Sequence, residues 1–206
     1  MTTVKVCGIT NLADAEKSLE YGADALGFNF YPSSARFVMP EKARTIIQEL
    51  GHNGLKVALF VNATEQRVRD VLAAGAPEHG GYDAVQFHGE ESREYCAGWR
   101  LKVIKAFRIK DRRSIDTLRD FPADYYLLDS WSAGYGGSGT SFPWEWLEGL
   151  ATAKLILSGG LTVDNVVAAI RQVHPYGVDV CSGVEASPGI KDHEKLKEFI
   201  NAAKSA

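Results

Sequence analysis

A thiol and a carboxylic acid stand at the ends of two strand-like segments. Cys7 falls near the end of VKVCGI (4 to 9), and Asp129 falls near the end of YYLLDS (125 to 130). Neither residue alone indicates a site, and a buried cysteine in particular is most often an inert small apolar side chain. Together they offer an acid and a base able to converge on one small ligand. The pair therefore predicts a site of proton transfer.

Glycine-rich turns follow the segments near the end of the chain. LSGGL (157 to 161) and CSGVEASPGIKD (181 to 192) supply Gly159, Gly160, Ser182 and Gly183. Backbone N–H groups in such turns bind phosphate, and glycine removes the side chains that would block its approach. A phosphate site is predicted here, held by backbone groups and the helix start that follows and not by Lys191. GYGGSGTSF (134 to 142) adds Gly136, Gly137 and Gly139.

Arg36 lies in FYPSSARFVMP (30 to 40), which reads as a loop after the second strand. Its guanidinium could bind a ligand carboxylate through two hydrogen bonds, although a solvated surface arginine has the same spacing.

Other polar residues interrupt the apolar runs. We interpret them as members of a satisfied polar network, since a strand covered on both faces cannot hide a charge without a partner. They are Lys5, Gln86, His88, Lys105 and Asp179. Cys96 and Cys181 are interpreted as structural.

Short apolar runs alternate with helical patterns along the whole chain. The runs lack sustained alternation, which favours strands covered on both faces. They lie at 4–9, 25–30, 55–61, 84–89, 102–109, 125–130, 154–160 and 178–184, and the helical patterns lie at 11–22, 40–51, 64–75, 91–97, 112–120, 143–150, 162–173 and 192–204. Asn11, Thr64 and Thr162 are placed to act as N-caps, and Pro40 and Gly51 suit the start and stop of a helix.

This repeat favours a (β/α)₈ TIM barrel formed by a single domain, residues 1–206. A doubly wound open sheet is the alternative, because strand order cannot be derived from one sequence. In a barrel, the loops after the strands form the catalytic face, which is where Cys7 and Asp129 fall.

The composition limits the partners. With 23 Lys and Arg against 26 Asp and Glu, the net charge is −3, and no basic run marks a nucleic-acid surface. No apolar stretch is long enough to span a membrane, and the three cysteines lack metal-ligand spacing. No signal-like leader is present, so we expect a cytoplasmic protein.

Several segments, in order along the chain, resemble the phosphoribosylanthranilate isomerase family. This family catalyses an Amadori-type rearrangement in tryptophan biosynthesis. The resemblance runs from end to end and is carried by KVCGIT, ADALGFNFYPSSARFV, FVN, VQFHGEE, LLDS, YGGSGTSFPW, LSGGL and VDVCSGVEASPGIKDH.

The resemblance implies a role for each candidate residue. Cys7 matches the general base, Asp129 the general acid and Arg36 the residue that holds the anthranilate carboxylate. The glycine-rich ends of the last two strands match the phosphate site. The substrate would be N-(5-phospho-β-D-ribosyl)anthranilate and the product 1-(2-carboxyphenylamino)-1-deoxy-D-ribulose 5-phosphate. Neither a metal nor a cofactor would be needed, and the enzyme would be a monomer or a homodimer.

Two other classes of function remain open from the sequence. One is another phosphosugar barrel, such as the histidine-pathway isomerase, which uses a carboxylate where Cys7 stands, an indole-glycerol-phosphate synthase or a ribulose-phosphate epimerase. The other is a sensor that binds a phosphosugar without catalysis, which the presence of both Cys7 and Asp129 disfavours.

Overall fold

Eight parallel strands close into a barrel in which each strand pairs with the next along the chain and β8 pairs with β1. This computed structural model describes residues 1–75, 78, 81–118, 121–130, 141–150 and 154–206. The strands are β1 (Thr3–Cys7), β2 (Ala25–Asn29), β3 (Leu55–Phe60), β4 (Ala84–Phe87), β5 (Lys102–Ile109), β6 (Tyr125–Ser130), β7 (Leu155–Leu157) and β8 (Gly177–Val180). The predicted (β/α)₈ barrel is confirmed, and the open sheet is wrong.

Helices follow the strands and pack on the outside of the barrel. They are α1 (Leu12–Glu20), α2 (Pro40–Leu50), α3 (Glu65–Ala74), α4 (Arg93–Ala97), α5 (Val166–Val173) and α6 (His193–Ser205). The helices expected at 112–120 and 143–150 are instead 3₁₀ segments, Arg112–Leu118 and Trp144–Leu147. In the first of these, Asp111 and Thr117 both hydrogen-bond the backbone of Ser114, which favours a tight turn over an α-helix.

The predicted capping and boundary residues are confirmed at three helices and wrong at one. Asn11 and Thr64 accept hydrogen bonds from the first turns of α1 and α3, and α2 begins at Pro40 and ends before Gly51. Thr162 does not cap α5. Its N–H donates to Oδ1 of Asn165 at 2.9 Å, so these residues form a turn and the helix starts after Asn165.

Side chains alternate between the lumen and the outer face along each strand. Small and branched apolar side chains fill the lumen near the amino ends of the strands: Ala25, Val57, Ala84, Ile104, Ala106, Leu127 and Ile156. Lys105 has the opposite phase and faces outward, where its ammonium donates to the Gly89 carbonyl at 2.7 Å and to Glu91 at 3.1 Å. These contacts pair the charge of Lys105 on the outer face of the barrel, so Lys105 is not part of the site in the lumen.

A hairpin separates the barrel from the last helix. β8 ends at Val180, earlier than the predicted run to 184, and a 3₁₀ turn (Ser182–Val184) follows. The antiparallel strands β9 (Glu185–Ser187) and β10 (Ile190–Lys191) then lead into α6. Among the described residues, no helix is long and apolar enough to cross a membrane.

Candidate active site

One cavity at the carboxyl ends of the strands collects every site residue predicted from the sequence. Its lining includes Cys7, Arg36, Asp129, Gly159, Gly160, Ser182 and Gly183. These residues come from the ends of β1 and β6 and from the loops after β2, β7 and β8. Gly136, Gly137 and Gly139 lie outside the described residues. The side chains brought together are those of an acid–base site beside two glycine turns.

Cys7 is the last residue of β1, and its side chain points into the cavity with 6% exposure. Cys181, just after the neighbouring strand β8, lines the same cavity, and its thiol donates to Oε1 of Glu185 at 3.7 Å. The interaction with the Cys181 side chain lowers the pKa of Cys7, burial opposes this, and the positive charge of Lys5 lowers the pKa further, to about 6. At neutral pH, Cys7 is therefore mainly a thiolate, the form that accepts a proton.

Lys5 and Asp179 form a buried ion pair beneath Cys7. The ammonium of Lys5 lies 2.6 Å from Asp179, and Ser158 donates to the second carboxylate oxygen at 3.1 Å. Burial alone would lower the pKa of Lys5, but the charges of Asp179 and Cys7 raise it above its ordinary value. The expectation that both residues belong to a satisfied polar network is confirmed. The pair also places a fixed cation beside the reactive thiol.

A chain of three side chains ends on Asp129. The amide nitrogen of Gln86 lies 3.1 Å from Nδ1 of His88, and Nε2 of His88 lies 3.1 Å from Oδ2 of Asp129. With the Gln86 amide as donor, Nδ1 is the acceptor and Nε2 carries the ring proton. His88 then donates to Oδ2 of Asp129, and Oδ1 is left free of that contact. Both His88 and Asp129 are buried.

The glycine after β7 faces this carboxylate directly. Gly159 has φ of +82°, and a Cβ built there would lie 2.7 Å from Oδ1 of Asp129 and would collide with the backbone of Ser130. Gly160 follows with φ of +69°. Both positions use the left-handed region that glycine adopts without strain. The turn therefore brings bare backbone close to Asp129.

Gly183 has a different reason to be glycine. A Cβ at this position would collide with the carbonyl oxygen of Leu161, on the neighbouring loop after β7. Gly183 thus allows the loops after β7 and β8 to touch. A larger residue here would shift both loops, whatever the ligand.

Arg36 reaches the cavity from the loop after β2, and an internal carboxylate holds it. Nη2 of Arg36 lies 2.7 Å from Oε2 of Glu185, and Nε lies 3.1 Å from Oε1. Two of the five guanidinium N–H groups are thus engaged, which leaves three for other acceptors. Burial would raise the pKa of Glu185, but the hydrogen bonds from Arg36 and the charge of Lys191 keep it below its ordinary value.

Lys191 lies in β10 of the hairpin, and its side chain is buried. Its ammonium lies 3.2 Å from the carbonyl oxygen of Cys181 and 3.3 Å from Glu185. The residue therefore ties the loop after β8 together.

Sequence reasoning missed the functional placement of three residues. His88, Gln86 and Cys181 were interpreted as structural, yet all three line the cavity. The signal was available, because residues two apart on a strand face the same side. Asp129 faces the lumen. Gln86 and His88 on β4 face the lumen as well, and so do Asp179 and Cys181 at the end of β8. No comparable signal linked Glu185 to Arg36, since 149 positions separate them.

The fold and the cavity define a class of protein. The site is a (β/α)₈ barrel mouth with a thiolate, a histidine-bonded carboxyl group and two glycine turns, which suits proton transfer on a small anionic ligand. No cluster of three or more metal-ligating side chains occurs in the part of the chain that the structure describes.

Comparison with known proteins identifies the family within this class. The sequence model of the family described as N-(5'phosphoribosyl)anthranilate (PRA) isomerase matches residues 4–202. An N-(5'-phosphoribosyl)anthranilate isomerase from Pelobacter propionicus is 47% identical, covering 99% of this chain and 96% of that protein. The chain belongs to the N-(5'-phosphoribosyl)anthranilate isomerase family.

Solved structures agree over the full length. The crystal structure of phosphoribosyl anthranilate isomerase from Thermotoga maritima has a TM-score of 0.88 and 44% identity, with both chains fully covered. A second crystal structure, of a phosphoribosyl anthranilate isomerase in complex with reduced 1-(o-carboxyphenylamino)-1-deoxyribulose 5-phosphate, has a TM-score of 0.84 and 41% identity over the whole of both chains.

Proposed function

We propose that the cavity converts N-(5-phospho-β-D-ribosyl)anthranilate into 1-(2-carboxyphenylamino)-1-deoxy-D-ribulose 5-phosphate. The reaction is an Amadori rearrangement, a step of tryptophan biosynthesis that moves a proton within one molecule. It needs one group to protonate the ring oxygen and one to remove a proton from carbon. Family membership supports the reaction, and the side chains around the cavity support the roles assigned below.

Asp129 is the general acid. In its protonated form it delivers the proton from Oδ1 to the furanose ring oxygen, which opens the sugar to a Schiff base. The hydrogen bond from Nε2 of His88 fixes Oδ2, so the acidic proton resides on the oxygen that faces Gly159. His88 thereby orients Asp129, and Gln86 sets the tautomer of His88.

Cys7 is the general base. The iminium makes the C2′ proton acidic, the Cys7 thiolate removes it, and the resulting enolamine tautomerises to the keto product. The neighbouring Lys5 favours the thiolate over the thiol. The base is therefore ready at neutral pH without a separate activating step.

The two anionic ends of the substrate are bound at different sides of the cavity. Arg36 holds the anthranilate carboxylate with the N–H groups that Glu185 leaves free, and Glu185 keeps the guanidinium in place. The phosphate lies against the backbone N–H groups of Gly159, Gly160, Ser182 and Gly183. This arrangement places the sugar between Cys7 and Asp129.

The observation that carries this proposal is the convergence of a thiolate and a histidine-bonded carboxyl group on one cavity. The direct test generates phosphoribosylanthranilate in situ and follows the loss of its fluorescence on addition of the protein. Folded protein that leaves the fluorescence unchanged would refute the proposed activity.

The working form of the enzyme is the finer part of the proposal. We propose a cytoplasmic enzyme, monomer or homodimer, that acts on this small phosphosugar without a cofactor and does not bind nucleic acid. The net charge of −3 and the lack of a basic run support the last point. Light scattering after size exclusion measures the oligomeric state.

A further inference from the structure

We propose that Cys7 and Cys181 form a reversible oxidation site, in which a peroxide joins the two thiols in a disulfide and a dithiol reductant separates them again. The bond occupies the sulfur of Cys7 and so stops the reaction. This consequence rests on the proposed role of Cys7 as the general base, whereas the bond itself does not. All three cysteines of the chain are free thiols in this structure.

Barrel closure places the two cysteines at opposite positions of paired strands. Val6 lies opposite Val180 in the register of β1 and β8, so the next positions are Cys7, at the end of β1, and Cys181, just after β8. Neighbouring strands lie about 4.8 Å apart, and disulfides join Cα atoms that are about 4.4–6.8 Å apart. The separation of the two backbones therefore suits a disulfide.

The two side chains also face the same space. Residues two apart on a strand share a face, and the pair two positions earlier, Lys5 and Asp179, already meets in the lumen at 2.6 Å. Cys181 packs against the small apolar cluster that contains Cys7. A thiol is a weak hydrogen-bond donor, so the 3.7 Å contact of Cys181 with Glu185 does little to keep its sulfur from turning toward Cys7.

An oxidant can reach this pair through the cavity, because both cysteines line it. Cys7 has 6% exposure and Cys181 is half-buried, whereas Cys96 has 1% exposure and lies outside the cavity. The lowered pKa of Cys7 supplies the thiolate, which is the form that peroxides oxidise. A second thiol beside a reactive one is the arrangement that resolves oxidation reversibly.

The chemistry balances with one molecule of peroxide. The sulfur of Cys7 attacks one peroxide oxygen, the O–O bond breaks, and the departing hydroxide takes a proton from solvent to leave as water. Cys7 is then a sulfenic acid. The sulfur of Cys181 attacks the sulfur of Cys7, the S–O bond breaks, and the hydroxide leaves as a second water with the proton of Cys181. The thiol pair loses two electrons, and the peroxide gains them.

The test treats the reduced protein with a small excess of hydrogen peroxide, blocks the remaining thiols with iodoacetamide and digests the protein with trypsin in the absence of reductant. The three cysteines fall in separate tryptic peptides, residues 6–17, 94–100 and 172–191. Mass spectrometry therefore identifies which sulfurs are joined, and no substrate is needed. Cys96→Ser is the matched control that keeps both thiols of the pair, and Cys181→Ser removes one of them.

We expect a disulfide between peptides 6–17 and 172–191 in the wild type and in Cys96→Ser, with the free thiols of the wild type falling from three to one. The isomerase activity of the oxidised protein should fall at least about a hundredfold, because the base is lost, and dithiothreitol should restore it. Cys181→Ser is compared with its own untreated activity. Its loss should persist after dithiothreitol, because Cys7 then oxidises on to the sulfinic acid.

Oxidation of Cys7 in the wild type without this peptide pair would overturn the proposal, and so would a pair formed only between two molecules, which non-reducing electrophoresis detects. Recovery of Cys181→Ser equal to that of the wild type would also overturn it. A bond formed with full activity retained would instead refute Cys7 as the base, so the two proposals fail separately. Far-UV circular dichroism before and after peroxide verifies that the oxidised protein is folded.

Discussion

Cys7 differs from Cys96 in its surroundings, and that difference decides which thiol reacts. Burial raises the pKa of Cys96 to about 11, because desolvation dominates at that site. The interaction with the Cys181 side chain and the nearby ammonium of Lys5 lower the pKa of Cys7 to about 6, although Cys7 too is buried. Exposure alone therefore does not predict reactivity in this protein. The charged and polar groups next to each sulfur determine its reactivity.

Cys7→Ala and Asp129→Asn should each nearly abolish turnover with a modest change in substrate affinity, because each removes a group that acts in the transition state. Acid–base catalysts contribute roughly 10²–10⁴-fold, and steady-state kinetics with the fluorescent substrate measures the loss. Cys96→Ala is the matched control and should keep its turnover. A residual rate above roughly a tenth of wild type would remove the assigned role of that residue.

The activity should fall as the pH drops through about 6. The proposed base, Cys7, works as a thiolate, and its lowered pKa keeps that form dominant down to a pH of about 6. Below that value, protonation removes the base, so kcat/KM declines on the acid side. A kcat/KM profile measured from about pH 5 to pH 9 checks this sign. An acid limb centred near 9.0, the ordinary value for this thiol, would show that its surroundings do not lower the pKa.

Arg36→Met should weaken binding of the product by about 1.5–3 kcal/mol through loss of a charge-assisted pair. Calorimetry with the product and with an analogue that lacks the ring carboxylate separates carboxylate recognition from general damage. The analogue should bind both proteins alike. If the substitution weakens the binding of both ligands equally, Arg36 does not bind the ring carboxylate.

The loops after β7 and β8 act through backbone conformation more than through side chains. Gly159 and Gly160 both have positive φ, and Gly183 allows one loop to touch the other. Gly183 is consequently a poor position at which to test phosphate binding, since any side chain there displaces Leu161 first. Lys191 is equally unsuitable as a neutral control, because its buried ammonium holds the same loop.

A better test of the phosphate site compares Gly160→Ala with Ser182→Ala. The first strains a turn whose N–H groups are proposed to bind the phosphate, and the second removes only a hydroxyl. We expect Gly160→Ala to weaken the binding of inorganic phosphate at least about tenfold, or about 1.4 kcal/mol. Ser182→Ala should change this affinity little. Competition against substrate measures both. A larger loss in Ser182→Ala would assign the phosphate to a side-chain contact.

The eight-unit repeat made the barrel and its catalytic face predictable, whereas contacts between distant loops were not. Cys7, Asp129 and the glycine turns stand out because they end apolar runs. The hydrogen bond of His88 to Asp129 depends on how β4 and β6 face each other across the lumen, which needs the closed barrel. The 3₁₀ segment Arg112–Leu118 was also missed, because the side chains of Asp111 and Thr117 hydrogen-bond the backbone of Ser114 and override helix propensity there.

The pairing of β1 with β8 closes the barrel. Lys5 and Asp179 form their ion pair across it, and Cys7 and Cys181 meet at its end. A buried charge that loses its partner is costly, whereas removing both charges together costs much less. The stability of the barrel closure and the protonation state of the Cys7 thiol are thus linked through one pair of strands.

Lys5→Met should lower the free energy of unfolding by about 3–5 kcal/mol, because it leaves Asp179 buried without its cation. The double variant Lys5→Met with Asp179→Asn should recover at least about 1 kcal/mol of this loss. Urea unfolding followed by far-UV circular dichroism measures both. Equal losses in the single and double variants would mean that the ion pair itself contributes little.

β1 and β8, whose residues surround the Cys7 thiol, are also the last pair of strands to meet during synthesis. Lys5 and Asp179 are 174 positions apart, so at 5–20 residues per second the ribosome needs roughly 10–35 s to make the intervening chain. Until β8 emerges and docks, Cys181 is not beside Cys7 and Lys5 lacks its partner Asp179. A nascent chain that already holds Cys7, Arg36 and Asp129 therefore carries an ordinary thiol, and the pKa of Cys7 is lowered only when β8, made last, pairs with β1, made first.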